Sequence, residues 1–458
     1  MLYALLKPLI RIFLKAYFRS FEVFGQENIP KSGPVIYVAN HPSAALDPIV
    51  IAVSLKEKLF FLAAAEFFGK GLQKSIFEKE FNMIPVYRPW KSKKQKAQNQ
   101  NMFEDCFKSL GKGNSILLFP EATSETVSKI RDLKTGAIRI KMGFESITQG
   151  NIKVPIIPIG LSYTNPHEFQ SKVLLKMGKP VEFPQLPENL ELADIYREKT
   201  KEIQKALEDC IIHIENSENE SLVKKVNRLF ANIYRNENDL SPKDKLSNFE
   251  FKQSVAKATA HFEVETPEEF KKIDNRISLY FEKLNQLKVS NDSIERSGRD
   301  ELSVFKTLLL ILGFPYYLIG ICYFFFPYQL AKYIFRTQLK SKLESENQDD
   351  VVLGNQFTGT LIFGVGAVIY LVWGVVFFIV LGIYTNAWVY ALIVSILSYP
   401  LLRFMLFYAR IAFRAVVVIK SYFIATKHKK DWEFLVKERR ELVEILKNYQ
   451  EKYSAKKS

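Results

Sequence analysis

His41 and Asp47, six residues apart in the stretch VIYVANHPSAALDP, are the side chains whose types and spacing suit acid–base chemistry. A neutral imidazole takes up a proton near physiological pH, and a carboxylate on its other ring nitrogen fixes the tautomer that does so. Such a pair forms only if the chain turns between the two residues. Val35 to Val38 are β-branched or aromatic and read as a buried strand that Asn40 leaves, which puts His41 at a strand end. Asp47 precedes Pro48; proline disfavours helical geometry at Asp47 and suits the first position of a helix PIVIAVSL, with Asp47 as its N-cap. The loop between strand and helix lets the carboxylate fold back onto the imidazole. A helix cap and a satisfied loop histidine fit the same spacing, so the reading turns on what else converges on His41.

Three more islands lie downstream. IPVYRP sets Arg88 directly beyond an apolar run, LLFPEATSE sets Glu121 and Thr123 beyond another, and VPIIPIGLSY is an apolar strand rich in proline. Short apolar runs at Val35–Ala39, Leu59–Ala63, Met83–Val86, Ser115–Phe119, Pro155–Leu161 and Val173–Met177 alternate with helical stretches, the pattern of an α/β domain. Open α/β sheets bind ligands at the loops beyond strand ends, so one pocket can gather His41, Arg88 and Glu121. A basic side chain there suits a phosphate.

The 458-residue chain allows roughly two or three domains. Its formal charge of +15 suits nucleic acid, anionic lipid or phosphate-bearing substrates. The basic residues flank apolar segments and no nucleic-acid recognition motif occurs, so no nucleic-acid partner is expected. Cys106, Cys210 and Cys322 are far apart, without metal-ligand spacing or a disulfide framework; this predicts no metal site and a catalytic part facing a reducing compartment. At the N-terminus, Lys7, Arg11 and Lys15 share one helix face opposite Leu2, Leu5, Leu6, Leu9, Ile10, Phe13 and Tyr17, so residues 1–20 read as an amphipathic helix at a membrane interface. The alternative solvent for that apolar face is the helix's own domain. The cluster Lys91 to Lys96 reads as a solvated charge run.

An α/β domain over 21–190 is followed at 191–303 by charged, helix-prone sequence whose end, KVSNDSIERSGRD, has the composition of a linker. Residues 304–410 hold three membrane segments, about 307–326, 359–383 and 386–405, read from stretches without a charge at 307–326, 359–383 and 387–402 against the ~20 apolar residues a bilayer core requires. Basic residues follow both the first and the last stretch. A cytoplasmic catalytic domain then calls for a first segment that turns back at Gly313 and Pro315, and for 411–458 as a basic cytoplasmic helical tail.

The order histidine with downstream aspartate, basic residue after a strand, FPE, then a proline-rich strand resembles the phospholipid/glycerol acyltransferase superfamily over about Phe21 to Leu190. The five-residue gap after His41 and the LKTGAIRI that follows FPE resemble its branch of glycerol-3-phosphate and dihydroxyacetone-phosphate acyltransferases. The resemblance implies a membrane-bound enzyme that moves a fatty acyl group to glycerol 3-phosphate, with lysophosphatidate as the alternative acceptor. It also implies acyl-CoA or acyl carrier protein as the donor substrate, with no separate cofactor. His41 would be the base and Asp47 its orienting carboxylate; Arg88 and Lys134 would hold phosphate, with Glu121, Thr123, Thr135 and Gly136 contributing to the substrate site. The family's usual glycine after FPE is Ala122 here, and its frequent arginine or serine is Ser124. A non-catalytic lipid-binding protein on the same fold is the reading of another class; it leaves an oriented His–Asp pair without a use.

Overall fold

A computed structural model describes residues 2–87, 93–187, 189–241, 244–296, 304–339 and 357–455. The chain forms two compact units: residues 1–213 with 331–367, and residues 214–330 with 368–458.

The first unit contains α1 (Leu2–Tyr17), β1 (Ser20–Phe24), β2 (Ile36–Ala39), α2 (Leu46–Ser54), β3 (Leu59–Ala64), α3 (Leu72–Ser75), β4 (Met83–Val86), α4 (Lys93–Gly111), β5 (Ser115–Leu118), α5 (Gly136–Ile147), β6 (Ile156–Tyr163), β7 (Lys172–Met177) and α6 (Leu192–Glu208). All six strands expected from the apolar runs are present; β1 is an addition. The sheet order is β1-β7-β6-β2-β5-β3-β4. Every neighbouring pair is parallel except β6 with β7. The carboxyl ends of β2, β5, β3, β4 and β6 therefore share one edge, and their loops converge there.

Both sheet faces are covered, as a mainly parallel sheet requires. Tyr37, Ala39, Leu117, Ile157 and Ile159 on one face pack with Leu14, Tyr17, Leu46, Val50 and Ile51 of α1 and α2. Ile36, Val38, Ile116, Leu118 and Ile156 on the other pack with Met102, Cys106, Ile138, Phe144, Ile203 and Leu207 of α4, α5 and α6. Helix α6, expected in the extension, thus belongs to the α/β unit. Helix α1 divides its apolar residues: Leu14 and Tyr17 are buried in this core, whereas Leu5 is 73% exposed and Ile12 47%.

Helix α2 begins at Leu46, with Ala45 in the N-cap position and no side-chain cap. Asp47 is therefore not the cap that its place before Pro48 predicts. Its carboxylate is taken by other donors, and Pro48 still falls within the first turn, where a missing N–H leaves no helical bond unmade.

The second unit is helical: α7 (Glu220–Glu237), α8 (Lys245–Glu265), α9 (Pro267–Leu287), α10 (Asn291–Glu295), most of α11 (Val304–Ile334), the greater part of α12 (Thr358–Thr385), α13 (Trp388–Lys427) and α14 (Lys429–Ala455). Leu229 of α7, Ile277, Tyr280 and Leu284 of α9, and Trp432, Leu435 and Leu442 of α14 form its core. The C-terminal segment expected as a basic tail is thus a packed helix, joined to α9 by Arg276 Nε on Glu438 Oε1 at 2.5 Å. The expected linker corresponds in part to α10. Buried Asn291 accepts from Tyr280 Oη at 2.9 Å and donates to the Arg228 carbonyl at 2.8 Å, so polar composition here marks a satisfied interior; residues 297–303 lie outside the described set.

Among the described residues, three helical stretches are long and apolar enough to cross a membrane: Phe305–Thr337, Thr358–Thr385 and Trp388–Lys427. Helix α11 runs unbroken through Gly313 and Pro315, the place of the expected re-entrant turn, and through Pro327 as well. Proline in a helix leaves the carbonyl four residues earlier, here that of Ile311, without its helical donor; Tyr408 Oη donates to the adjacent Leu310 carbonyl at 2.6 Å.

Candidate active site

Strand β2 ends at Ala39, and the next residue continues the pairing with a side chain. Asn40 Nδ2 donates to the Leu161 carbonyl at 3.0 Å, and Asn40 Oδ1 accepts from Leu161 N at 2.7 Å. His41 then leaves the sheet with its backbone pinned from the other side. Its carbonyl accepts from Glu125 N at 3.0 Å, the Pro42 carbonyl from Thr126 Oγ1 at 2.8 Å, and Ser124 Oγ from Ala44 N at 2.7 Å. Ala44 takes the left-handed region, φ 39°, which turns the chain toward Asp47. Ser124 is thus occupied in holding the histidine loop.

His41 Nδ1 lies 2.9 Å from Asp47 Oδ2. A carboxylate only accepts, so the neutral imidazole carries its proton on Nδ1 and leaves Nε2 with the free lone pair. Asp47 is fully buried. Its Oδ2 also accepts from Ser43 N at 2.7 Å, and its Oδ1 from Tyr163 Oη at 2.8 Å. Burial and the neighbouring Asp47 charge push the Tyr163 hydroxyl well above the ordinary tyrosine range, so it remains a donor. The His41 ring stacks on Phe119, centroids 4.0 Å apart and planes 17° apart, which fixes the remaining rotation of the imidazole.

The FPE turn follows β5, the strand beside β2. Glu121 is buried, and burial raises its pKa; the Arg131 guanidinium, and to a lesser extent His41, oppose the shift. Arg131 Nε donates to Glu121 Oε2 at 2.7 Å and Nη1 to Thr123 Oγ1 at 2.5 Å, while Nη2 meets both the Glu121 carboxylate and the Thr123 carbonyl. The residue between, Ala122, has φ 65°. An L-residue held there costs about 1–2 kcal/mol, and the guanidinium grips both of its neighbours.

The other predicted residues divide. Lys134 points an exposed side chain outward, but its amide donates to the Pro120 carbonyl at 2.8 Å, pinning the start of α5 to the FPE turn. Thr135 is the N-cap residue of α5 without a side-chain cap bond, and Gly136 opens the helix where a Cβ would meet nothing within 4 Å. Arg88 lies outside the described residues. Arg131, Tyr163 and Phe119 are additions to the residues read from sequence. Among the described residues no group of three or more His, Cys, Asp or Glu side chains could hold a metal ion.

Residues 20–162 match the family model described as Acyltransferase. The chain is 26% identical over 140 residues, 30% of its length, to glycerol-3-phosphate O-acyltransferase 1 of Saccharomyces cerevisiae, and 24% identical over 149 residues, 32% of its length, to an uncharacterized acyltransferase of Schizosaccharomyces pombe. The matched stretch spans 18% and 20% of those relatives. Among solved structures, the 1-acyl-sn-glycerophosphate (LPA) acyltransferase PlsC from Thermotoga maritima aligns over 45% of this chain and 78% of that one, with 19% identity and a TM-score of 0.33. Residues 20–162, the stretch that matches the Acyltransferase family model, hold the paired His41 and Asp47 at the sheet edge.

Proposed function

We propose that this chain is a membrane-bound O-acyltransferase that moves a fatty acyl group from a thioester donor to a hydroxyl of glycerol 3-phosphate. The observation that carries this reading is the 2.9 Å contact between His41 Nδ1 and the buried Asp47, which leaves Nε2 as an oriented base. An alcohol is a weak nucleophile at neutral pH, and a positioned imidazole contributes about 10²- to 10⁴-fold by taking its proton as attack begins. Nε2 takes the hydroxyl proton, and the oxygen attacks the thioester carbonyl carbon. The carbon–sulfur bond then breaks, and the thiolate leaves with the proton returned from the imidazolium. Asp47 stabilises that imidazolium throughout, and no acyl-enzyme is needed.

Glycerol 3-phosphate as acceptor is supported by the similarity to the budding-yeast glycerol-3-phosphate O-acyltransferase and by the LKTG segment, whose Lys134 would meet the phosphate together with Arg88. Acyl-CoA or acyl carrier protein would serve as donor, and the three apolar helices would hold the enzyme in a phospholipid bilayer.

The test uses the full chain in lipid, with labelled acyl-CoA and either glycerol 3-phosphate or lysophosphatidate. Ester should form on glycerol 3-phosphate and fall at least 10²-fold in His41→Ala, with the variant still folded. Equal turnover by His41→Ala removes the base; ester formed on lysophosphatidate alone replaces the acceptor.

A further inference from the structure

Helices α5 and α6 leave an open surface groove of about 450 Å³ lined by Thr135, Arg139, Leu192, Ala193, Tyr196 and Arg197, with both arginines exposed. Its size is that of a small-molecule site. None of the contacts that orient His41 and Asp47 involves these residues, yet the groove begins beside the catalytic turn. Thr135 follows Lys134, whose amide is bonded to Pro120, the residue before Glu121.

The lining has two kinds of chemistry. Arg139 has no carboxylate partner among the described residues, and its guanidinium lies over the Phe103 ring at 4.8 Å. Stacking of this kind restrains the planar group while leaving its N–H edges available in the plane. Arg197 adds a second guanidinium, engaged among the described residues by an exposed neighbour on its own helix, Asp194, at 2.7 Å. Two such forks with a threonine hydroxyl suit phosphate oxygens. Beside them, Tyr196 is partly buried and Leu192 is 55% exposed, an apolar and aromatic flank to a basic site. A small polar acceptor such as glycerol 3-phosphate offers nothing to that flank. A phosphate ester joined to a flat ring matches both halves.

We propose that this groove binds the nucleotide end of the acyl donor, with Arg139 and Arg197 on its phosphates and Tyr196 and Leu192 against its base. The thioester arm then extends past Thr135 toward the FPE turn and His41. This assignment rests on the thioester-donor reading above and adds the place where the donor is held.

The test compares wild type with Arg139→Gln, Arg139→Lys and Arg197→Gln in the full chain, using acyl-CoA, the matching acyl-dephospho-CoA and acyl-pantetheine. The expected result is a KM for acyl-CoA raised about tenfold in Arg139→Gln, with kcat and the KM for glycerol 3-phosphate unchanged. Arg139→Lys should recover part of the loss. Acyl-pantetheine, which lacks the nucleotide, should be used equally by wild type and variants. An unchanged KM for acyl-CoA, an equal loss with acyl-pantetheine, or a loss confined to glycerol 3-phosphate overturns the proposal. Equilibrium binding of free CoA separates this site from the catalytic reading: weaker binding to Arg139→Gln supports the groove even in a chain that forms no ester, and identical binding refutes it.

Discussion

Arg131 grips Glu121 through Nε at 2.7 Å and, through the same guanidinium, holds Thr123, so the left-handed Ala122 between them is clamped from both sides. A glycine would adopt that conformation without help. The clamp and the alanine are therefore energetically coupled. Arg131→Gln should lower kcat about tenfold, because the freed turn no longer holds the Glu121 carboxylate beside His41. Adding Ala122→Gly should restore a large part of that loss, while Ala122→Gly alone should change kcat little. A double-mutant cycle on purified protein measures the coupling, and strictly additive effects would refute it.

Asp47→Asn should cost about 10²- to 10⁴-fold in kcat while leaving the protein folded. The amide can present Nδ2 to the imidazole, which then takes the opposite tautomer with its proton on Nε2, the nitrogen that must accept. Ring ¹⁵N shifts of His41 should show Nε2–H in the variant and Nδ1–H in the wild type. The same tautomer in both would contradict this account.

Tyr163→Phe removes one of the three donors on a buried carboxylate. The loss should be about 1–3 kcal/mol of stability, since Asp47 Oδ1 has no access to water, together with a smaller fall in kcat than Asp47→Asn produces. Urea denaturation beside steady-state assays would measure both. A stability equal to wild type would mean that another group takes up the bond.

His167 bonds Thr126 Oγ1 through Nε2 at 3.0 Å, and Thr126 in turn holds the Pro42 carbonyl. Burial lowers the His167 pKa below its ordinary 6.5, against a smaller opposing pull from Asp47. The unfolded chain thus binds this proton more readily than the folded one. Its contribution to stability is complete above pH 6.5 and declines as pH falls through the lowered value. His167→Gln should flatten that part of the melting temperature's dependence on pH; an unaltered slope would assign the dependence to other groups.

The strands were legible because β-branched and aromatic runs recur between polar stretches, and the pairing at His41 because a strand end and a helix start bracket it. Strand β1 was not, since SFEVF is a short edge strand, half-buried throughout and paired only to β7. Arg131 stands ten residues beyond Glu121 in a segment with no regular structure, where no periodicity points one side chain at another. Tyr163 reads as the end of an apolar strand, and its target lies 116 residues earlier. The capping role read at Asp47 failed for a related reason. The local rule for a residue before proline was overruled by three donors, two of them in the loop just before it and one on β6.

Asn40 carries the last consequence. Its carboxamide imitates one more rung of main chain against Leu161, so the zipper of β2 and β6 closes on a side chain that no other nearby position supplies. Sliding β2 by a single place would put Ala39 or His41 at that rung, and neither offers a matched donor and acceptor. Correct assembly of the sheet and correct aim of the imidazole are thus checked by the same two bonds, and a misthreaded chain would fail at both together.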